Sequence, residues 1–326
     1  MTNSEMNLPL PTFSFVIPAY NEAADIADSL KAVWDQQRSA KEVIVVDDGS
    51  TDGTTGILRD LASSGRNVTL IEHAENRGLA AARNTGVQAA TGDVVVFLDA
   101  DDQPAPDFLE RIAPYYTQGF DCVCVESQVM HDDLFGRYMQ AEHEVFYRPD
   151  RWVGYSAAFS CRRGAALAAL FPEVLPGAGG YEDVEFFNRL MDRGFSVATD
   201  FSIMIGLRVP ADARGFWKQR VSRGLSAPYL CRFVKGRPMP VVAGRRALAV
   251  GRTLALLLLI VPALIGAFRR ARRSPRRLRD LPAFWLLYHV ARIARHIGEW
   301  RSVYEILRRG GTSARPTGHE ALSTSE

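Results

Sequence analysis

Short apolar runs that stop abruptly at polar residues punctuate the front of the chain. Phe13-Ser-Phe-Val-Ile-Pro18 ends at a proline, as a buried strand does. Ile26, Leu30, Val33 and Trp34 then recur at helical spacing within 23–37. Val43-Ile-Val-Val46 reads as a second strand and runs straight into Asp47-Asp48-Gly49-Ser50. A helix over 54–61, a strand over 68–71 and an alanine-rich helix over 78–90 follow. Val94-Val-Val-Phe-Leu98 is a fourth strand that again ends in acids, at Asp99, Asp101 and Asp102. The pattern next predicts a helix over 107–116 and a fifth strand over 121–126.

Strand alternating with helix predicts an α/β fold whose sheet is largely parallel and covered on both faces. In such sheets ligands sit outside the carboxyl ends of the strands. The polar residues gather at those ends, at 18–22, 47–52 and 99–102. No Gly-x-Gly-x-x-Gly follows the first strand, which argues against a dinucleotide site of the usual kind. Beyond about residue 148 the pattern is less regular. Gly177-Ala-Gly-Gly180 reads as a loop, Tyr181-Glu182-Asp183 opens a helix to about 193, and 217–233 has helical spacing. Pro238 and Pro240 mark a boundary.

Asp99-Ala100-Asp101 carries the sharpest chemical signal. Alternate carboxylates in a tight turn can face one hard cation, which bridges phosphate oxygens. An acidic turn on a solvated surface is the plainer reading. It loses ground because an apolar strand drives into this turn and a second acidic turn ends a neighbouring strand. Asp47 or Asp48 in that second turn can accept from a base N–H or a ribose hydroxyl. Ser50, Thr51 or Asp52 can cap the helix that follows.

Five segments occur in order: Phe15-Val-Ile-Pro-Ala-Tyr-Asn-Glu22, Val43-Ile-Val-Val-Asp-Asp-Gly-Ser-Thr-Asp52, Asn76-Arg-Gly-Leu-Ala-Ala-Ala-Arg-Asn84, Thr91-Gly-Asp93 and Phe97-Leu-Asp-Ala-Asp-Asp102. Together they resemble the inverting family-2 glycosyltransferases with the GT-A (nucleotide-diphospho-sugar transferase) fold, over about 12–230. The resemblance implies a mixed, mostly parallel sheet and roles for individual positions. Pro18, Ala19 and Glu22 line the nucleotide pocket, Asp48 contacts the base, and Arg77 or Arg83 lies near the ribose or diphosphate. Asp99 and Ala100 meet the donor, and Asp101 with Asp99 holds Mn²⁺ or Mg²⁺. Glu182-Asp183 matches the family's acidic pair on the acceptor side, with Asp183 the general base and Arg223 nearby. A plainer reading makes Arg83 a helix-surface ion pair, and Glu182 and Asp183 partners of a helix dipole. Two departures stand out. Ile205-Gly-Leu-Arg-Val209 has no His where the family often carries a metal ligand. Lys218-Gln-Arg-Val-Ser-Arg-Gly224 lacks the Trp of the processive synthases, which favours single-sugar addition.

Charge adds a second surface. From residue 241 to the end the chain holds 16 Arg, no Lys and 5 acids, so this part carries +11 and the front carries −9. Residues 253–268 form an uncharged 16-residue run bounded by Arg252 and Arg269, and seven Arg fall within 269–279. A spanning helix needs about 20 apolar residues, and a crossing would carry these Arg to the outer side. A re-entrant or interfacial hairpin keeps them on one leaflet, and 281–300, with Trp285, Tyr288, Arg292, Arg295 and Trp300, suits an interfacial helix. A buried core hairpin is the alternative. The Arg cluster has no aromatic interleaving, which argues against nucleic acid. The start of the chain does not read as a secretory signal. Cys122, Cys124, Cys161 and Cys231 lack metal-site spacing and read as reduced core thiols.

The sequence thus predicts an N-terminal extension (1–11), a GT-A domain (12–235), a helical membrane-associating tail (236–310) and a disordered end (311–326). The expected protein is a glycosyltransferase at the cytoplasmic face of the cell membrane. It would transfer sugar from a nucleoside-diphosphate donor, by resemblance a UDP-sugar, to a lipid-linked or glycan acceptor in cell-envelope glycan or glycolipid synthesis. A catalytically silent sugar-nucleotide-binding or assembly subunit is the alternative. A nucleotidyltransferase would need a basic, Gly-rich loop after the first strand, which Pro18-Ala-Tyr-Asn-Glu22 does not supply.

Overall fold

The computed structural model describes residues 10–146, 159–173, 181–258 and 260–310. The glycine run at 177–180, the terminal stretch 311–326 and most of 1–11 lie outside them.

The front half alternates as its pattern predicts: β1 (Phe13–Ala19), α1 (Ile26–Trp34), β2 (Glu42–Asp47), α2 (Thr54–Ser63), β3 (Val68–Glu72), α3 (Leu79–Ala89) and β4 (Val94–Phe97). Then come β5 (Gln103–Pro104), α4 (Phe108–Thr117), β6 (Cys122–Val129), α5 (Leu134–Phe146), β7 (Phe159–Arg162), α6 (Arg163–Ala169), α7 (Glu182–Asp192), β8 (Val197–Leu207) and α8 (Ala213–Tyr229). The eight strands form one sheet in the order β3-β2-β1-β4-β7-β6-β8-β5. The pairs β1–β2, β1–β4, β2–β3 and β6–β8 are parallel, whereas β4–β7, β6–β7 and β5–β8 are antiparallel. The sheet is mixed and mostly parallel, as expected.

Strand side chains alternate between faces, and this divides the core into two layers. Phe13, Phe15 and Ile17 pack with Ile26 and Leu30 of α1 and Leu109 and Ile112 of α4. Val16, Ile44 and Val95 face the opposite way, towards Ala82 and Val87 of α3 and Phe186 of α7. Cys122, Cys124 and Cys161 are buried in this second layer, and Cys231 is half-buried. Both faces being covered explains why these strands read as near-continuous apolar runs.

Three more helices complete the described chain: α9 (Met239–Leu258), α10 (Ile260–Ala271) and α11 (Leu281–Arg308). They do not form a free tail. Helix α11 crosses α8 at van der Waals distance through Gly224 and Gly298. A Cβ on Gly298 would stand 2.0 Å from the Val221 carbonyl oxygen, and one on Gly224 would stand 2.1 Å from that of Arg295. Phe284 and Leu287 of α11 join Tyr138 and Met139 of α5 and Phe216 of α8 in a third apolar cluster. Buried ions tie the same elements together. Arg137 donates to both Asp280 oxygens, at 2.8 and 2.9 Å. Glu142 meets Arg220 at 2.5 Å and Arg270 at 3.7 Å.

These contacts correct part of the sequence reading. Arg270 faces Glu142 and lies over the Tyr288 ring instead of facing outward with its neighbours. Arg292 turns to Tyr288 and Thr253. The inner face of α11, expected at a membrane interface, is docked on α8 instead. The apolar run 253–268 is shared between α9 and α10. Among the described residues no helix is long and apolar enough to cross a membrane.

Candidate active site at the strand ends

β1 lies between β2 and β4, so the loops that follow these three strands leave the sheet side by side at its carboxyl edge. Pro18 and Ala19 are buried at the end of β1. Beyond them Asn21 adopts a positive φ of 59°, which Asn tolerates better than most residues. Its N–H donates to Ser50 Oγ at 3.0 Å, and its Oδ1 accepts from the Thr51 N–H at 2.8 Å. Glu22 N–H donates to Thr54 Oγ1 at 2.8 Å. The first two loops are therefore laced together.

Asp47 and Asp48 are both buried, and both are engaged. Asp47 accepts from the Ser50 N–H at 3.1 Å and from Thr55 Oγ1 at 2.5 Å. Asp48 accepts from the Arg77 N–H at 2.9 Å and the Gly78 N–H at 2.7 Å, and its Oδ1 lies 2.6 Å from His73 Nδ1. Gly53 stands at the N-cap of α2 with no side chain to offer, and Asp52 just before it accepts from the Thr54 N–H at 2.9 Å. Gly49 makes the turn possible. Its φ is +72°, and a Cβ there would lie 2.7 Å from the backbone of Glu75.

His73 was not singled out by its sequence context. It closes β3, holds Asp48 through one ring nitrogen, and through the other stands 3.0 Å from Thr85 Oγ1. The signal lay in its position, a lone histidine just past a strand and four residues before Arg77 of the Asn-Arg-Gly segment. Arg77 itself is 40% exposed, with Glu173 at 3.9 Å.

The third loop holds Asp99, Ala100, Asp101 and Asp102. Ala100 and Asp102 are buried. Asp101 and Asp99 lie close enough to Glu22, and Asp99 close enough to Asp101, for their charge to disfavour ionisation of Glu22 and Asp101. Burial, followed by Asp99, pushes the Asp101 carboxyl up to about 7. Burial, followed by Asp101, pushes Glu22 up to about 8. Burial and the charges of Asp99 and Asp101 also raise Asp102, whose Oδ2 has no hydrogen-bond partner among the described residues. Crowded, desolvated carboxylates of this kind are relieved by a bound cation. Among the described residues no group of three or more His, Cys, Asp or Glu is arranged to hold a metal alone. One or two carboxylates completed by phosphate oxygens and water is nevertheless the usual way Mg²⁺ is held with a phosphorylated substrate, and Asp101 with Asp99 fits that description.

Arg83 is the centre of the arrangement. It is no surface residue, being 1% exposed. Its Nη2 donates to Asp99 Oδ1 at 2.7 Å and its Nη1 to Glu182 Oε1 at 3.3 Å, and its guanidinium lies over the Phe171 ring. Burial opposes its charge, but Asp99, Glu182 and Asp183 outweigh that and raise its pKa. Arg83 thereby joins the acids at the end of β4 to the acids that open α7. Asn84 beside it anchors the 171–173 segment, through Phe171 N–H and O and Glu173 Oε1.

Glu182 and Asp183 are buried in the first turn of α7. Asp183 Oδ1 accepts from the Val184 N–H at 2.7 Å. Burial and then Glu182 push the Asp183 carboxyl up to about 7, with Arg83 acting the other way. Tyr181, just before this turn, accepts from Arg295 of α11, so the C-terminal helices reach the residue that precedes Glu182 and Asp183. Arg223 lies apart. It sits on α8 within electrostatic reach of Glu142 and Arg220; among the described residues no hydrogen bond or ion pair joins it to Glu182 or Asp183. Arg208, within the 205–209 segment that lacks a His, pairs with Asp25 and Asp28, and its charge lowers Asp101.

Residues 14–168 match the family described as Glycosyl transferase family 2. The glycosyltransferase AglE of Haloferax volcanii is 43% identical over 108 residues, covering 32% of this chain and 36% of that protein. An undecaprenyl-phosphate 4-deoxy-4-formamido-L-arabinose transferase of Aeromonas hydrophila is 37% identical over 139 residues, 41% of each protein. The aligned part is thus less than half the length of either relative. A mannosyltransferase of Pyrobaculum calidifontis, solved with GDP-Man and Mn²⁺, shares the fold with a TM-score of 0.60 at 21% identity, over 91% of this chain and 88% of its own. Residues 1–349 of Staphylococcus aureus TarS superpose at 0.50 with 19% identity, over 92% of each chain.

Proposed function

We propose, from the match of residues 14–168 to Glycosyl transferase family 2, that the chain transfers one sugar at a time from a nucleoside-diphosphate sugar, a UDP-sugar by preference, to a hydroxyl of a lipid-linked or membrane-proximal acceptor, with inversion. The observation that carries this reading is the pair of acid clusters, Glu22, Asp99 and Asp101 on one side and Glu182 and Asp183 on the other, joined through Arg83. It supports a donor side and an acceptor side on either flank of one buried guanidinium, which pairs with Asp99 and with Glu182.

On the donor side Pro18, Ala19 and Ala100 supply small, buried walls against which a nucleotide can lie. Asp48 fixes the 77–78 backbone and keeps spare acceptor capacity for a base N–H. Asp101 and Asp99 would hold Mn²⁺ or Mg²⁺, which, when bound, neutralises charge on the departing diphosphate. On the acceptor side the free oxygen of Asp183 takes the proton from the incoming hydroxyl. The hydroxyl oxygen bonds to the anomeric carbon on the face opposite the breaking C–O bond to phosphate, and the configuration inverts. A carboxyl titrating near 7 suits a general base at neutral pH.

A thermal-shift series tests the donor side. UDP, GDP and their sugars, each with and without Mn²⁺, should give stabilisation for one nucleotide class only. Ligand at 100 times Kd adds about 2.7 kcal/mol. Asp101→Asn is expected to retain its own melting transition and lose the Mn²⁺-dependent part of that shift. An undiminished shift in this variant would remove Asp101 from the metal site.

We place the protein at the cytoplasmic face of the membrane through α9 and α10. Leu248, Leu254, Leu264, Ile265 and Phe268 are exposed there, beside exposed Arg245, Arg252, Arg269, Arg272 and Arg273. Truncation at Pro240 would not test this cleanly, because it also strips α8 of its cover. Arg269→Gln/Arg272→Gln/Arg273→Gln is the better variant. At roughly 1 kcal/mol per Arg near an anionic surface, it should weaken binding to phosphatidylserine-containing vesicles by on the order of 100-fold. Equal binding by wild type and variant would show that these Arg do not face lipid.

A further inference from the structure

Helix α11 has a second apolar face that the described structure leaves largely open, although Val290 at its near end also packs against the third apolar cluster. Leu286, Val290, Ile293, Ile297, Trp300, Tyr304 and Leu307 follow one another at steps of four, three, four, three, four and three residues. Val290 and Ile297 are half-buried and the other five are exposed, Tyr304 to 67%. The face that packs on α8 is a different one, carrying Phe284, Leu287, Ala291, Ala294 and Gly298.

An unbroken alternation of four and three is the heptad spacing by which one helix packs along another. The stripe is narrow. His289 and His296 lie on one side of it, and the exposed Arg301 and Arg308 on the other. A helix lying in a lipid interface presents a broad apolar face instead, as α9 and α10 together do here; a strict two-position stripe is the mark of a helix–helix seam. Residues 311–326 offer no occupant, since apart from glycine their only apolar residues are Ala314, Pro316, Ala321 and Leu322, with no heptad spacing.

We propose that this seam pairs with the same seam of a second copy of the chain, with the two α11 helices antiparallel. Self-complementarity carries the assignment. With residue numbers in each facing pair adding to 590, Leu286 opposes the partner's Tyr304, Val290 opposes the partner's Trp300, and Ile293 opposes the partner's Ile297, so a small or branched side chain meets a larger one or its like. A two-fold pairing generates every layer twice. Charge selects the direction. In a parallel pair Arg301 and Arg308 would stand beside their own copies. In the antiparallel pair the two Arg301 side chains are separated by 12 residues of helix, about 18 Å at a rise of 1.5 Å per residue. Docking on α8 already holds α11 helical, so little ordering cost falls on association.

The test is sedimentation velocity of the full chain over a hundredfold concentration range, in buffer and in mild detergent. A monomer–dimer equilibrium is expected, and Ile293→Glu/Ile297→Glu should raise its dissociation constant at least tenfold while the thermal transition is kept. A second variant covers failure of that one to fold. In Ile293→Cys/Ile297→Cys, oxidation should give a covalent dimer that reductant reverses. Leu286→Cys alone should not cross-link, because its copy lies 18 residues of helix away in the proposed register. Three outcomes overturn the proposal: a chain monomeric throughout, self-cross-linking of Leu286→Cys, or loss of vesicle binding by Ile293→Glu/Ile297→Glu with no change in association, which would assign the seam to lipid.

Discussion

Replacing Asp183 by Asn is expected to lower kcat by roughly 10²–10⁴, the range usual for loss of a general base, with donor affinity nearly unchanged. The substitution preserves shape and the bond from the Val184 N–H to the retained side-chain oxygen, so geometry survives and basicity does not. The pH profile separates this role from a structural one. The Asp183 carboxyl titrates at about 7, and a base acts only when deprotonated. In the wild type kcat should therefore rise through pH 7 and level off above it. The residual activity of Asp183→Asn should lack that limb. Kinetics from pH 5.5 to 9, with donor Kd measured separately by calorimetry, check both points. A collapse of donor affinity would place Asp183 on the donor side, and a surviving limb would assign the base to another group.

The parts of this site that could be read in sequence were those where local pattern and tertiary role coincide. An apolar strand that ends in acids announces a strand end facing solvent or ligand, and β2 and β4 both do so. Such runs are visible because both faces of the sheet are buried. β8 was harder to see. Thr199, Asp200 and Ser202 interrupt it, and its pairing with β6 shifts register between Val125 and Glu126. Arg83 and His73 show a different limit. Nothing in the alanine-rich helix distinguishes an Arg on the surface from one buried against Asp99 and Glu182, because the distinction depends on residues 16 and 99 positions away. The C-terminal run 253–268 announced its hydrophobicity but not its partners. Thr253, Ala263 and Ala267 turn inward while Leu254, Leu264 and Ile265 face out. Two apolar faces on α11, one docked and one open, look alike until the fold says which neighbour is present.

Arg83→Met should cost stability roughly as breaking a buried ion pair does, about 3–5 kcal/mol at pH 8. Methionine fills much of the same volume, so the loss reports charge more than cavity. Glu182 and Asp183 are both nearly sealed from solvent, and without the guanidinium they face each other uncompensated. Asp99 is 35% exposed and can be rescued in part by water. The loss should depend on pH with a definite sign. Asp183 is already raised to about 7 by burial and Glu182, and removal of Arg83, which holds it down, raises it further. An acid with a raised folded-state pKa holds a proton in the native chain that it releases on unfolding, so stability falls as pH climbs from the ordinary carboxylate range through the raised value. Urea denaturation of Arg83→Met at pH 5, 7 and 8 should therefore show a variant closest to wild type at pH 5 and furthest from it at pH 8. Arg83→Lys should restore part of the difference, because it keeps the charge but not the two-pronged reach to Asp99 and Glu182. A deficit that stayed constant across this range, or that Lys failed to reduce, would mean that Arg83 contributes through packing on Phe171 and not by neutralising the two acid clusters it joins.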